Sequence, residues 1–93
     1  MWRVIQHRNL RKKMRKLPKP VREKYLKWVD VIEQSGPEQL KKLTGLHDES
    51  LSGQLKGHRS SRLGLQYRVI YQIQSDLVLV LVIDINAHDY RIK

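Results

Sequence analysis

The sequence predicts an α+β domain in which an N-terminal strand and a helical hairpin pack on one face of a mainly antiparallel sheet of about four strands. Three observations predict it. The first half of the chain repeats its apolar residues at helical spacing. Residues 67–73 alternate with the period of a strand. "LVLVLVI" (77–83) is an unbroken apolar run of the kind a strand covered on both faces carries.

Taken in order, "WRVIQ" (2–6) is short and β-prone and reads as the first strand. From His7 to Leu17, the residues Leu10, Met14 and Leu17 form one apolar stripe among cations, which predicts a helix. "LPKP" (17–20) stops it, and Pro20 suits the first turn of the next helix. There Val21, Tyr25, Trp28, Val29 and Ile32 make a strongly amphipathic face, and "QSGP" (34–37) ends the helix. "PEQLKKL" (37–43) allows a short third helix at most. "ESLSGQLKG" (49–57) reads as turn-rich, and "HRSSRL" begins a strand. In the following strand Tyr67, Val69, Tyr71 and Ile73 share one face, with Arg68, Ile70 and Gln72 on the other. "QSD" (74–76) is a hairpin turn, 77–83 the last strand, and "DINAHDYRIK" a polar tail. The helices are expected to cover one face of the sheet, leaving the other partly open to carry arginines.

At 93 residues the chain has room for a single domain, 1–93, with one modest core. The absence of cysteine excludes a disulfide framework and thiolate metal sites, and the four histidines lie outside metal-ligand spacing. Neither a metal nor a cofactor is expected. No window has the length and apolarity of a membrane span, and the N-terminus lacks the apolar centre of a signal peptide, so a cytoplasmic protein with no membrane partner is the plain reading.

Charge is the most distinctive property. The formal net charge is +10, and residues 1–29 carry eleven Lys/Arg against the single acid Glu23, while the remainder holds eight of each sign. A basic element on a neutral body is the footprint of a polyanion binder, because cations that displace phosphate counterions supply affinity without sequence selectivity. The candidate RNA contacts are Arg8, Arg11, Lys12, Lys13, Arg15, Lys16 and Lys19, joined from the second half by Lys56 and Arg59. The plainer roles for such a cluster are a solubilising helix face or a patch that meets an acidic protein.

No Gly-rich phosphate loop and no Ser/His/Asp signature is present. The inventory of Arg, Lys, His, Glu and Tyr suits RNA cleavage by the ribose 2′-hydroxyl. A base takes the hydroxyl proton, cations stabilise the five-coordinate phosphorus, and an acid protonates the leaving 5′-oxygen. An arginine in mid-strand, such as Arg68, fits that need for a cation aimed from a rigid sheet.

The stretch "ESLSGQLKGHRSSRLGLQYRVIYQI" and the closing "INAHDY" resemble the RelE superfamily of bacterial toxins, the toxic halves of type II toxin–antitoxin pairs, in the rhythm "LxGxxxGxxSxRL…YRxIYxI". The resemblance extends over nearly the whole chain, with its motifs in 49–90, and implies a RelE-like fold. It implies that Arg68 is the strand arginine set against the scissile phosphate. Glu49 falls where YoeB-like members place the general base, and Arg62 where relatives carry a basic or histidine side chain. His88 matches the C-terminal histidine that serves as general acid, and Tyr90 the aromatic residue near that terminus. Lys56 lies near the lysines that RelE uses. The pattern is closer to YoeB and YafQ than to lysine-rich RelE.

The same resemblance implies a ribosome-dependent mRNA endonuclease whose partners are the ribosome, mRNA and a cognate antitoxin that blocks the site. Operator DNA would be reached only through that antitoxin. It does not separate RNA-cleaving members from the gyrase-poisoning ParE branch, and a non-catalytic RNA-binding module also keeps the basic hairpin. Each site residue has a plainer alternative. Glu49 reads as a solvated loop acid, Arg62 as a cation paired on the sheet, and Arg68 as an ion-pair partner of Asp84. His88 reads as part of a frayed terminus and Tyr90 as a packing residue.

Overall fold

Strand β1 (Arg3–Gln6) leads into a short helix α1 (Leu10–Arg15) and a long helix α2 (Lys19–Ser35). A two-residue strand β2 (Glu49–Ser50) follows, then β3 (Arg59–Arg62), β4 (Tyr67–Gln74) and β5 (Leu79–Ala87). This computed structural model describes residues 1–64 and 66–87. The strands form one sheet in the order β1-β5-β4-β3-β2. All neighbours are antiparallel except β1, which runs parallel to β5. The α+β class, the helical hairpin and the mainly antiparallel sheet match the sequence reading.

The sheet has five strands rather than about four. The extra one is β2, where Glu49 pairs with Ser60 and Ser50 with Arg59 inside a segment whose glycines suggested only turns. The last strand is displaced as well. Ser75–Leu77 curl into a 3₁₀ turn and Val78 takes φ 53°, so pairing starts at Leu79 and continues through Ala87. The polar "DINA" belongs to the strand because Ile85 is buried while Asp84 and Asn86 point the other way. Ile70 pairs with Asp84 but Tyr71 with Val82, so Ile83 is an extra residue that bulges β5.

Helix α1 has six residues, shorter than the 7–17 expected, yet its stripe is placed as read: Leu10 and Leu17 are buried and Met14 is half-buried. Pro18 and Pro20 set the start of α2, and Gly36 ends it at φ 84°, where a Cβ would stand 3.2 Å from the Trp2 indole nitrogen. Beyond it Pro37–Lys42 and Thr44–Leu46 are 3₁₀ turns.

Helix α2 presents Val21, Tyr25, Trp28 and Ile32 to the sheet, where they meet Val69, Tyr71, Val80, Val82 and Ile85. Trp28 is the centre of this layer at 2% exposure. Tyr25 stacks on it at a centroid distance of 5.8 Å and Tyr71 meets it edge-on at 5.2 Å. No helix among the described residues is long and apolar enough to cross a membrane.

Candidate functional site

Register decides which side chains share a face. Ser61 accepts from the Trp28 indole at 3.0 Å, so Ser61 and its cross-strand partner Val69 lie under the helices. Strand side chains alternate, which puts Arg62 and Arg68 on the opposite face, open at its rows' ends although Ser60 and Ile70 in it are buried. Two rows cross that face: Arg62, Arg68 and Asn86 are successive partners, and so are Glu49, Ser60, Ile70 and Asp84. Glu49 is exposed, while Arg62 and Arg68 are half-buried. Strand spacings of roughly 4.8 Å across and 3.3 Å along put the Glu49 and Arg68 Cα atoms about 12 Å apart. The geometry brings Glu49, Arg62 and Arg68 to one surface.

A chain of polar contacts holds Arg68. Its Nε donates to Asn86 Oδ1 at 3.4 Å, Asn86 Nδ2 donates to Asp84 Oδ2 at 2.9 Å, and Lys13 Nζ meets Asp84 Oδ1 at 2.7 Å. Asp84 therefore pairs with Lys13 rather than with Arg68. Burial pushes the Asp84 carboxyl up, but hydrogen bonds from Lys13 and Asn86, the Lys13 charge and the Ile85 N–H outweigh it and hold the group below its ordinary value. The bulge at Ile83 turns Asp84 and Asn86 toward this face, and sequence reading missed both as site residues. The signal was available in the alternation of residues 84–86.

The helix-covered side of the same strands handles its charge differently. The Asp48 carboxylate is fully shielded. It accepts from Arg59 Nε at 2.9 Å, Arg59 Nη2 at 2.7 Å and Ser61 Oγ at 2.6 Å, and also from the Tyr71 hydroxyl. Burial works against the Arg59 cation, yet the hydrogen bonds and charges of Asp48 and Tyr71 overcome it and raise its pKa. Arg59, read from sequence as an RNA contact, is thus held inside the fold, facing the helices because its partner is Tyr71. Burial, and then the Asp48 hydrogen bond and charge, raise the Tyr71 hydroxyl well above the usual tyrosine range. Asp48 is a residue whose importance the sequence did not signal.

The basic candidates Arg8, Arg11, Lys12, Arg15, Lys16 and Lys19 are exposed on and around α1, as is Lys56 in the β2–β3 loop. Lys13 is exposed but engaged by Asp84. Helix α1 lies against β5, and an open cleft of about 610 Å³ between them is lined by His7, Lys12, Lys13, Lys16, Ile83 and Asp84, among others. His88 and Tyr90 fall outside the described residues.

Residues 4–90 match the family model described as the ParE toxin of type II toxin-antitoxin system, parDE. No curated protein sequence matches the chain significantly. Among solved structures, the archaeal RelE–RelB complex from Pyrococcus horikoshii aligns with TM-score 0.74 at 24% identity, over 96% of this chain and 97% of that one. The isolated RelE toxin of E. coli aligns with TM-score 0.67 at 25% identity, over 96% of this chain and 86% of its own. A YoeB/ParE toxin from Agrobacterium tumefaciens gives 0.68 at 16% identity, over 94% and 99%. The fold is RelE-like.

Proposed function

The chain belongs to the ParE toxin family of type II toxin–antitoxin systems, and from that premise we propose that it is a ribosome-dependent mRNA endonuclease that blocks translation in the cytoplasm. The carrying observation is the open sheet face, where Arg62 and Arg68 pair directly across β3 and β4 with Glu49 on the same surface. Glu49 takes the proton from the ribose 2′-hydroxyl, and the freed oxygen attacks the adjacent phosphorus. Arg68 and Arg62 balance the charge gathering on the non-bridging oxygens. The bond to the 5′-oxygen then breaks, leaving a 2′,3′-cyclic phosphate, and His88 supplies the leaving oxygen with a proton. Tyr90 stacks on a base of the codon. Exposed cations of α1 and its flanks hold ribosomal RNA, which places the strand over the sheet.

A cognate antitoxin is the natural inhibitor, as the complex of the archaeal RelE with RelB illustrates for that relative. A polypeptide laid across the open face would cover Arg68 and Glu49 together, and operator DNA would be met through that partner. The family description favours a second reading, a ParE-like gyrase inhibitor that binds protein and needs no general base. Expression in a translating extract with mapping of mRNA 5′ ends separates the two. The nuclease reading expects new ends within ribosome-covered codons. It is overturned by cuts on naked RNA alone, or by no cuts alongside gyrase-linked DNA breaks.

A further inference from the structure

A second cleft, of about 840 Å³, lies between α2, the 42–47 segment and the end of β3. Lys24 and Lys27 stand on it from α2, Lys42 faces them from the connecting segment, and Arg62 closes one end. Among the described residues, no acidic side chain lines it. The two α2 lysines are three residues apart, which makes them neighbours about 5–6 Å apart on one helix face, and all three lysines are exposed. None of the three serves the chemistry described above.

We propose that this cleft is a second strand-binding subsite, which holds the phosphates of single-stranded RNA flanking the phosphate at Arg62 and Arg68. The inference rests on the RNA reading and extends the path of the strand. Arg62 belongs to both places: its register partner is Arg68 on the open face, and it is among the residues that line the cleft. A strand leaving Arg68 toward Arg62 therefore meets three further cations, with no opposing carboxylate among the described lining residues. Val31 and Leu46 form a half-buried floor, which lowers the local dielectric and strengthens the charge contacts. An amphipathic helix is the competing occupant, but it needs several open apolar pockets for its anchors. Here Trp28 is 2% exposed, and among the described residues Leu43, at 37%, is the only lining residue that is a large exposed apolar side chain. Phosphate, rather than apolar anchors, is what the surface offers to bind.

The test uses 2′-O-methyl oligoribonucleotides, which lack the nucleophile and stay intact, in anisotropy titrations against the full chain at low salt. A nine-nucleotide strand should bind more tightly than a three-nucleotide one. Lys24→Ala/Lys27→Ala/Lys42→Ala together should remove most of that gain, weakening the longer strand roughly tenfold to hundredfold and lowering the salt slope by about 2, at some 0.7 per phosphate. Because all three positions are exposed, an unchanged melting profile is the control for folding. The subsite is overturned if affinity and slope are the same in both proteins. It is equally overturned if the variant loses only an acidic amphipathic peptide while RNA binding stays intact. Cleavage in the translating extract is scored separately, so a chain that cuts mRNA but ignores the lysines loses this subsite and keeps the nuclease reading.

Discussion

Arg59 and Arg62 lie three residues apart on one strand and meet opposite fates. Arg59 faces the helices, where the shielded Asp48 carboxylate takes two of its hydrogen bonds. Arg62 faces the open surface beside Arg68 and lines a cationic cleft. An odd separation on a strand means opposite faces, so identical residue types are divided by register alone. The covered face neutralises its charge internally and becomes scaffold. The open face gathers three candidate site residues, the cations Arg62 and Arg68 and the carboxylate Glu49.

The sharpest way to break this division is to attack the scaffold side. Asp48→Ala leaves the Arg59 cation, Ser61 and Tyr71 without their acceptor, and should cost about 3–5 kcal/mol in urea denaturation. A loss under 1 kcal/mol would mean that the covered face does not depend on this network. A second test addresses the exposed helix. Replacing Lys12, Arg15 and Lys16 with Ala, and leaving Lys13 on Asp84, should weaken ribosome binding and flatten its salt dependence while bound complexes are cleaved at the parent rate. Equal affinity across a salt titration would reduce α1 to a solubilising face.

Buried tyrosines give the covered face a pH signature. Burial pushes the Tyr25 hydroxyl up to about 12, and Tyr71 is raised too. Both groups keep their protons longer in the folded state, so their contribution is complete below the ordinary value of 10.0 and is lost as pH rises through the folded values. The urea midpoint should therefore fall from about pH 10 upward, and Tyr25→Phe should flatten that fall. Asp84 acts in the opposite direction. Its lowered pKa means a contribution present above the ordinary 3.8 and lost as pH drops through the folded value, and Asp84→Asn should remove that acid-side dependence. The smallest effect belongs to neither face. Val78 sits at φ 53°, a conformation costly for a β-branched residue, and Val78→Gly should raise stability by about 0.5–1 kcal/mol without touching cleavage.

Periodicity made most of the fold legible in the sequence. The α2 stripe and the alternation of 67–73 are direct consequences of burial on one side, so residues such as Trp28 and Tyr71 could be placed from spacing. What escaped has physical reasons. A two-residue strand such as β2 is too short to show a period. The bulge at Ile83 breaks the period in β5, so "DINA" looked like tail. Asp48 escaped because its role depends on partners far away in sequence, with Tyr71 lying 23 residues on. Motif resemblance singled out Glu49, Arg62 and Arg68, but Arg59 stood in the same motif, and only the pairing register distinguishes it from them.

The division between the two faces is tested most directly by measuring Arg59→Ala and Arg68→Ala side by side, for both urea stability and single-turnover cleavage of ribosome-bound mRNA. Arg59→Ala should lose about 2 kcal/mol of stability and cleave at close to the parent rate, since it breaks a shielded pair away from the chemistry. Arg68→Ala should keep its stability within about 0.5 kcal/mol and cleave roughly a hundred- to a thousandfold more slowly, as loss of an electrostatic stabiliser predicts. The reverse pattern, or an Arg68→Ala protein that cuts at the parent rate, would contradict the assignment of the open face as the site of chemistry.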